Sequence, residues 1–198
     1  MTNATEQVMK QFKASRVKSL ALPLWMCLFA FFSSQSQADQ PALQKIHNWI
    51  QNEHPIVNHI RGNELERNVR NNENFVLFDV RERAEYDVSH LANAIQVDPE
   101  ISAATFSALY GETLKDKTVV FYCSVGRRSS LLAEKVHEDL SAQGANQILN
   151  LEHGIFGWHN EIRQLEDRSD EITDFVHPYS WRWGRLLERK DLIRYDLE

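Results

Sequence analysis

The chain has 198 residues with a formal net charge of −6, and 42% of its residues are hydrophobic. A surface of this sign repels nucleic acid, and no stripe of basic residues offsets it, so we expect no nucleic-acid partner. The eight histidines occur without Cys-x-x-Cys or His-x-x-x-His spacing, and the sequence has no Gly-Lys-Ser phosphate loop, so we expect no metal and no cofactor.

Residues 1–38 have the three-part layout of a secretory signal peptide. Basic residues precede an apolar run from Leu20 to Phe32, and Ser36-Gln37-Ala38 is typical of a cleavage site. The run is shorter than the roughly 20 residues that span a bilayer, so we expect export to the periplasm and no stable membrane insertion after cleavage. An uncleaved N-terminal membrane anchor is the alternative. Cleavage would leave 18 basic and 27 acidic residues, a net charge of −9.

Residues 39–54 form a predicted N-terminal helical segment. A helix over 41–52 would place four large apolar side chains on one face, and we expect it to cover a sheet rather than to carry chemistry. These side chains are Leu43, Ile46, Trp49 and Ile50.

Strands and helices alternate through residues 55–165, which form the predicted central domain. The alternation favours an α/β fold with a mainly parallel central sheet and helices on both faces. Ligands in such folds bind beyond the carboxyl ends of the strands. The predicted strands are 55–59, 75–80, 94–97, 119–122 and 147–151, and the predicted helices run through Leu65 and Val69, over 102–110, and from Ser129 to Gly144.

Cys123 lies where a predicted strand ends and a predicted helix begins. The unpaired N–H groups of a first helical turn favour an anion, and a thiolate is such an anion. Arg127 and Arg128 add positive charge, and Gly126 permits the positive φ of a tight loop. Without residues 1–38, Cys123 would be the only cysteine, either a buried inert side chain or a reactive thiol. The polar, doubly basic loop favours a reactive thiolate.

Three motifs resemble those of the rhodanese-type sulfurtransferases, and together they cover roughly residues 55–161. The loop motif is Cys123-x-x-Gly126-x-Arg128-Ser129. Upstream lie Asp79-Val80-Arg81, Glu85-Tyr86 and His90-Leu91, and downstream lies Gly154-Ile155-Phe156-Gly157-Trp158. The sequence departs from the family at Asn93, where Gly is usual, and at His153, which replaces the first residue of a common Gly-Gly pair.

The resemblance implies a single rhodanese-like domain in which Cys123 is the catalytic residue and carries a sulfane sulfur as a persulfide. Its partners would be a small anionic sulfur donor, such as thiosulfate, and a thiol or cyanide acceptor. The loop would bind the substrate through Ser124, Val125, Gly126, Arg127, Arg128 and Ser129.

Four polar residues of the upstream motif are expected to brace the structure. Asp79 and Arg81 stand two apart on a strand, share a face, and are predicted to pair through hydrogen bonds or charge. Glu85 and His90 are predicted to act as caps and loop braces, with proton transfer as the alternative.

Residues 166–198 form an aromatic-rich C-terminal extension. We predict a helix from Trp183 to Tyr195 and a solvated or core position for His177, with reach to the active site as the alternative. Docking of a protein partner is the alternative role of the extension. The helix would pack on the domain through Trp181, Leu186 and Leu187.

Two other functions remain open. A carrier module would accept sulfur from a protein partner and pass it on without turnover. A cysteine phosphatase or arsenate reductase would use the same thiolate, but such loops have five residues between Cys and Arg. Four residues separate Cys123 from Arg128, and this shorter loop suits a single sulfur better than a tetrahedral oxyanion.

Overall fold

A computed structural model describes residues 41–71 and 74–196. The predicted signal peptide, residues 1–38, lies outside the described residues, as do residues 39 and 40 of the helical segment. Within the described ranges, no helix combines the length and the apolar character needed to cross a bilayer.

The described residues contain six α-helices and a five-stranded sheet, and strand and helix alternate after the first helix. The helices are α1 (Pro41–Glu53), α2 (Gly62–Asn71), α3 (Arg83–Val88), α4 (Ala103–Tyr110), α5 (Arg127–Ala142) and α6 (Gly154–Asn160). The strands of the sheet are β1 (Asn58–Ile60), β2 (Phe75–Asp79), β3 (Ile95–Gln96), β4 (Thr118–Tyr122) and β5 (Gln147–Leu151).

All neighbouring strands of this sheet are parallel, in the order β1-β5-β4-β2-β3. The central strand β4 is buried along its whole length, and its side chains alternate between two apolar cores. Val120 and Tyr122 enter one core, whereas Val119 and Phe121 enter the other. The predicted α/β class, with helices on both faces of a parallel sheet, is therefore confirmed.

The junction between β4 and α5 follows the sequence prediction closely. Gly126 has a φ of +97° and immediately precedes α5, so the loop uses the left-handed conformation that glycine adopts without strain. Gly144, with a φ of +93°, follows the end of the same helix. The strand that precedes Cys123 and the helix that follows it can thus be predicted from neighbouring residues in the sequence.

The C-terminal extension folds against the domain without the predicted helix. Leu165–Glu166 (β6) pairs antiparallel with Ile172–Thr173 (β7), and two short 3₁₀ turns, Trp183–Leu186 and Lys190–Leu192, follow. The predicted helix from Trp183 to Tyr195 is wrong, because its apolar spacing stops at Leu187 and the next turn would bring Lys190 and Asp191 onto the packed face. Instead, Ile193 runs beside Val176 in a parallel bridge.

The predicted anchors of the extension divide into two groups. Leu187 is 1% exposed within the core, and Leu186 is partly buried against that core, as predicted. Trp181 is 65% exposed, so its predicted packing role is wrong. The extension is held by aliphatic side chains, and Trp181 is left facing solvent.

We expect Leu187→Ala to lower the free energy of unfolding by about 2–5 kcal/mol, because it leaves a cavity in the core. Leu109→Ala is the matched control, since Leu109 is 61% exposed on α4 and its truncation should change stability by less than about 0.5 kcal/mol. Urea unfolding of both variants measures the difference. Equal stabilities would show that the extension does not contribute to the core.

Candidate active site

Cys123 lies directly after the carboxyl end of β4, beside the N-terminus of α5. Its side chain is a free thiol, and the N–H of Gly126 donates a hydrogen bond to Sγ over 3.2 Å. The 16-residue helix α5 begins one residue after that glycine. The sulfur therefore sits where backbone N–H groups and the helix dipole favour negative charge, as the sequence predicts.

The N-terminus of α6 holds the loop in shape. The N–H groups of Ile155 and Phe156 donate to the carbonyl oxygens of Cys123 and Ser124 over 2.9 and 3.0 Å. A Cβ atom on Gly154 would lie 2.3 Å from the Cys123 carbonyl oxygen, closer than any real contact. The downstream glycine motif therefore allows one backbone to approach the other, which fixes the direction of the loop.

Arg128, Glu85 and Ser124 form one hydrogen-bonded group beside the thiol. Arg128 donates to both carboxylate oxygens of Glu85, over 2.8 and 3.0 Å. The Ser124 hydroxyl donates to Glu85 Oε1 and accepts from Arg128 Nη2, each over 3.0 Å. Burial opposes ionisation of Glu85, but the hydrogen bonds and charge of Arg128 outweigh it and hold the Glu85 pKa below its usual value.

Glu85 also has the capping role predicted for it. Its carboxylate accepts a hydrogen bond from the backbone N–H of Glu82 over 3.2 Å. The Glu82 side chain accepts one from the backbone N–H of Glu85, which completes a capping box at the start of α3. The pairing of Glu85 with Arg128 was missed, because the two residues lie on different elements and no local spacing relates them.

Asp79 and Arg81 pair below the loop, as predicted. Both side chains are fully buried, and Arg81 donates to the Asp79 carboxylate through Nε over 2.8 Å and through Nη2 over 2.6 Å. Arg81 Nη2 also donates to the carbonyl oxygen of Ser89 over 2.6 Å. Burial alone would lower the Arg81 pKa, but Asp79 raises it above its usual value. The pair ties the end of β2 to the residues that follow α3.

The other residues of the predicted site differ in their exposure and their contacts. Val125 and Ser129 are buried, with Val125 in the apolar core. His90 contacts Tyr86 and the backbone of Glu166, whereas Arg127 is exposed. The structure therefore groups Cys123 with Ser124, Gly126, Arg128 and Glu85.

Both departures from the family glycines have left-handed backbone. Asn93 has a φ of +59° and His153 a φ of +63°, so each non-glycine residue adopts the conformation that a glycine would favour. His153 immediately precedes α6, and its ring lies 5.5 Å from that of His47. His47 also meets His59, with ring centroids 4.7 Å apart. Burial lowers the pKa values of all three imidazoles, that of His59 to about 4.

Trp49 of α1 and Tyr179 of the C-terminal extension lie against the two arginines of the loop, and we call this part of the surface the rim. Trp49 of α1 lies 5.4 Å from the Arg127 guanidinium, and Tyr179 lies 4.8 Å from that of Arg128. Cys123 is only 1% exposed, so access to Sγ requires movement of the residues around it. The contact of Tyr179 with Arg128 was missed, although the sequence shows that the extension is rich in aromatic residues.

His177 belongs to the same part of the rim. Its Nδ1 accepts a hydrogen bond from the Tyr179 backbone N–H over 3.0 Å. Burial lowers its pKa, and the nearby carboxylate of Glu85 opposes that shift. Its half-buried ring stands near the charged groups of the loop, which is the alternative position that the sequence leaves open.

We expect Gly154→Ala to destabilise the protein by about 2–5 kcal/mol, because it combines a clash with the Cys123 carbonyl and a φ of +56°. Gly62→Ala is the control, since its nearest neighbours are flexible side-chain ends at 3.2 Å and its backbone is unstrained. Denaturant unfolding compares the two. Similar costs at both positions would contradict the close approach of α6 to the loop.

We expect Glu85→Gln to destabilise the protein by about 3–5 kcal/mol at pH 7, since Arg128 loses its charged partner. The folded-state pKa of Glu85 is lowered, so its contribution is present above the unfolded value of about 4.5 and is lost as pH falls through the lower folded value. The gap between wild type and variant should therefore narrow below pH 4.5 in urea unfolding. The exposed Glu112→Gln should show no such gap, and a gap independent of pH would contradict the charge pairing.

Comparisons with known proteins match the central part of the chain. The family model for the rhodanese-like domain matches residues 62–161. A sulfurtransferase of Allochromatium vinosum is 31% identical over 103 residues, which cover 52% of this chain and 89% of that protein. The adenylyltransferase and sulfurtransferase UBA4 of Candida albicans is 30% identical over 98 residues, covering 48% of this chain and 22% of UBA4.

A similar solved structure is that of a rhodanese-related protein from Thermoplasma volcanium. It is 25% identical to this chain, has a TM-score of 0.43, and the match covers 55% of this chain and 96% of that one. The matched residues include the loop around Cys123, the four strands from β2 to β5 and helix α6. The chain therefore belongs to the family of rhodanese-like domains.

Proposed function

We propose that this protein is a sulfurtransferase in which Cys123 carries a sulfane sulfur between a donor and an acceptor. The family match and the sulfurtransferase relatives support transfer of sulfur as the reaction class. The observation that carries the proposal is the position of Sγ, 3.2 Å from the Gly126 nitrogen and at the N-terminus of α5. A nucleophilic sulfur and the persulfide formed on it are both anions, and both are stabilised there.

Thiosulfate is the proposed donor. The Cys123 thiolate attacks its outer sulfur, the sulfur–sulfur bond of the donor breaks, and sulfite leaves with the bonding electron pair. A cyanide or thiol acceptor then attacks the outer sulfur of the Cys123 persulfide, and the thiolate is released unchanged. No external oxidant or reductant is needed, since each step exchanges one sulfur bond for another.

The loop residues have distinct proposed roles. The guanidinium of Arg128 stabilises negative charge near the sulfur, and Glu85 and Ser124 hold it in position. Arg127 is exposed on the rim and attracts the anionic donor at the entrance. Tyr179 lies over the guanidinium of Arg128, so movement of this side chain would open that charge to the donor.

Intact-mass measurement after thiosulfate treatment tests the persulfide directly. We expect the protein to gain the mass of one sulfur atom and to lose it on treatment with cyanide, with thiocyanate as the product. Cys123→Ser, which preserves the size of the side chain, should gain no sulfur and form no thiocyanate. Sulfur gained by the serine variant would place the reaction elsewhere. The same spectrum reports cleavage after Ala38, which tests the proposed export.

We expect Arg128→Ala to lower kcat/KM for thiosulfate by about 10²–10³-fold, the range found when a preorganised charge stabiliser is removed. Arg127→Ala is the matched control, and it should lower kcat/KM by less than about tenfold because its charge is screened by solvent. The double variant Glu85→Gln/Arg128→Ala buries no unpaired carboxylate and should show the same loss as Arg128→Ala. Equal effects at the two arginines would contradict the proposed role of Arg128.

A sulfur carrier is the second candidate function, favoured by the 1% exposure of Cys123 and by Trp181, which is 65% exposed on the extension. In a carrier, a protein partner docks on the aromatic extension and opens the rim before sulfur passes to Cys123. Turnover separates the two functions. Multiple rounds of thiocyanate formation from thiosulfate indicate an enzyme, whereas one stoichiometric loading without turnover indicates a carrier.

A further inference from the structure

Three metal-ligating side chains meet where the C-terminal extension folds back beside α3. His90, Glu166 and Asp170 each place one ligand atom within 4.8 Å of the other two. His90 is 1% exposed, whereas the Asp170 side chain is 86% exposed, so the group has a buried end and an open end. None of these residues belongs to the loop around Cys123.

The His90 ring is held in one orientation and one tautomer. Its Nδ1 lies 3.1 Å from the carbonyl oxygen of Tyr86, which can only accept, so Nδ1 carries the proton of the neutral ring and Nε2 carries the lone pair. The ring stacks on Tyr86 with centroids 3.8 Å apart, and the Tyr86 hydroxyl is fixed by a 2.8 Å hydrogen bond to Ala94. A histidine held by a backbone carbonyl on one nitrogen is the usual arrangement of a metal ligand.

The Nε2 atom of His90 lies near the Asp170 carboxylate and receives no hydrogen bond from any residue in the described ranges. Its distance to Asp170 Oδ1 is 3.8 Å, which is too long for a hydrogen bond. The three ligand atoms thus lie close together, and no side-chain hydrogen bond joins them within the described residues.

The backbone fixes the spacing of the three side chains. His90 and Glu166 exchange two backbone hydrogen bonds, over 2.7 and 2.9 Å. The N–H of Asp170 donates to the carbonyl oxygen of Asp167 over 2.9 Å, which closes the turn that carries Asp170. Glu166 is half-buried and Asp170 is exposed, so the carboxylate of Asp170 lies at the open end of the group.

We propose that His90, Glu166 and Asp170 bind a divalent transition-metal ion of the zinc class. One imidazole nitrogen with two carboxylate oxygens suits Zn²⁺ and leaves a coordination position for water, whereas Mg²⁺ and Ca²⁺ prefer sets made of oxygen alone. The ion joins His90, two residues after the end of α3, to the start of the extension, and so stabilises the docked extension.

Zinc titration by calorimetry tests the site, in a Cys123→Ser background so that the thiolate cannot bind the metal. We expect one equivalent of Zn²⁺ to bind, and Glu166→Gln and Asp170→Asn each to weaken binding by at least about tenfold. Glu171→Gln is the matched control, because it removes the same charge from the same turn without removing a ligand. Saturation at about a hundred times Kd should raise the Tm by about 5–10 °C, and this shift should disappear in Asp170→Asn.

Three results would overturn the proposal. The first is the absence of Zn²⁺ binding to the Cys123→Ser protein. The second is equal weakening by Glu171→Gln and Asp170→Asn, which would indicate a diffuse charge effect. The third is loss of binding in His153→Gln with binding retained in Asp170→Asn, which would place the ion in the cluster of His47, His59 and His153.

Discussion

The ion pair between Glu85 and Arg128 determines what the loop around Cys123 can do. It joins α3 to the first turn of α5, and its carboxylate also receives the Ser124 hydroxyl. Because the buried carboxylate of Glu85 pairs with the guanidinium, much of the positive charge of Arg128 is neutralised within the protein. Backbone N–H groups and the helix dipole therefore share with Arg128 the stabilisation of negative charge at the loop.

The rim explains how this chain differs from a minimal rhodanese-like domain. The family match ends at residue 161 and begins at residue 62, whereas Trp49 precedes that range and Tyr179 follows it. Each aromatic ring stacks on one arginine of the loop. Helix α1 and the C-terminal extension thus act on the same entrance from opposite ends of the sequence. Two residues outside the matched range therefore lie against the two arginines of the loop.

Local features of the fold could be predicted from the sequence, and long-range contacts could not. The buried strand before Cys123, the positive φ of Gly126 and the pairing of Asp79 with Arg81 follow from neighbouring residues. The contacts of Glu85 with Arg128 and of Tyr179 with Arg128 join distant residues, and no spacing encodes them. The group of His90, Glu166 and Asp170 was missed for the same reason, since sequence patterns of metal ligands are local. The helix from Trp183 to Tyr195 failed because three apolar residues in helical spacing did not extend to a fourth.

The burial of Cys123 has a consequence for the durability of the thiol. Peroxide converts an accessible thiolate to sulfenic acid and then to sulfinic acid, and thiols do not reverse the second step. Sγ meets a dissolved oxidant only during the fraction of time in which the surrounding side chains part. Limited access to Sγ slows the approach of a sulfur donor, and it also slows the irreversible oxidation of Cys123 between turnovers.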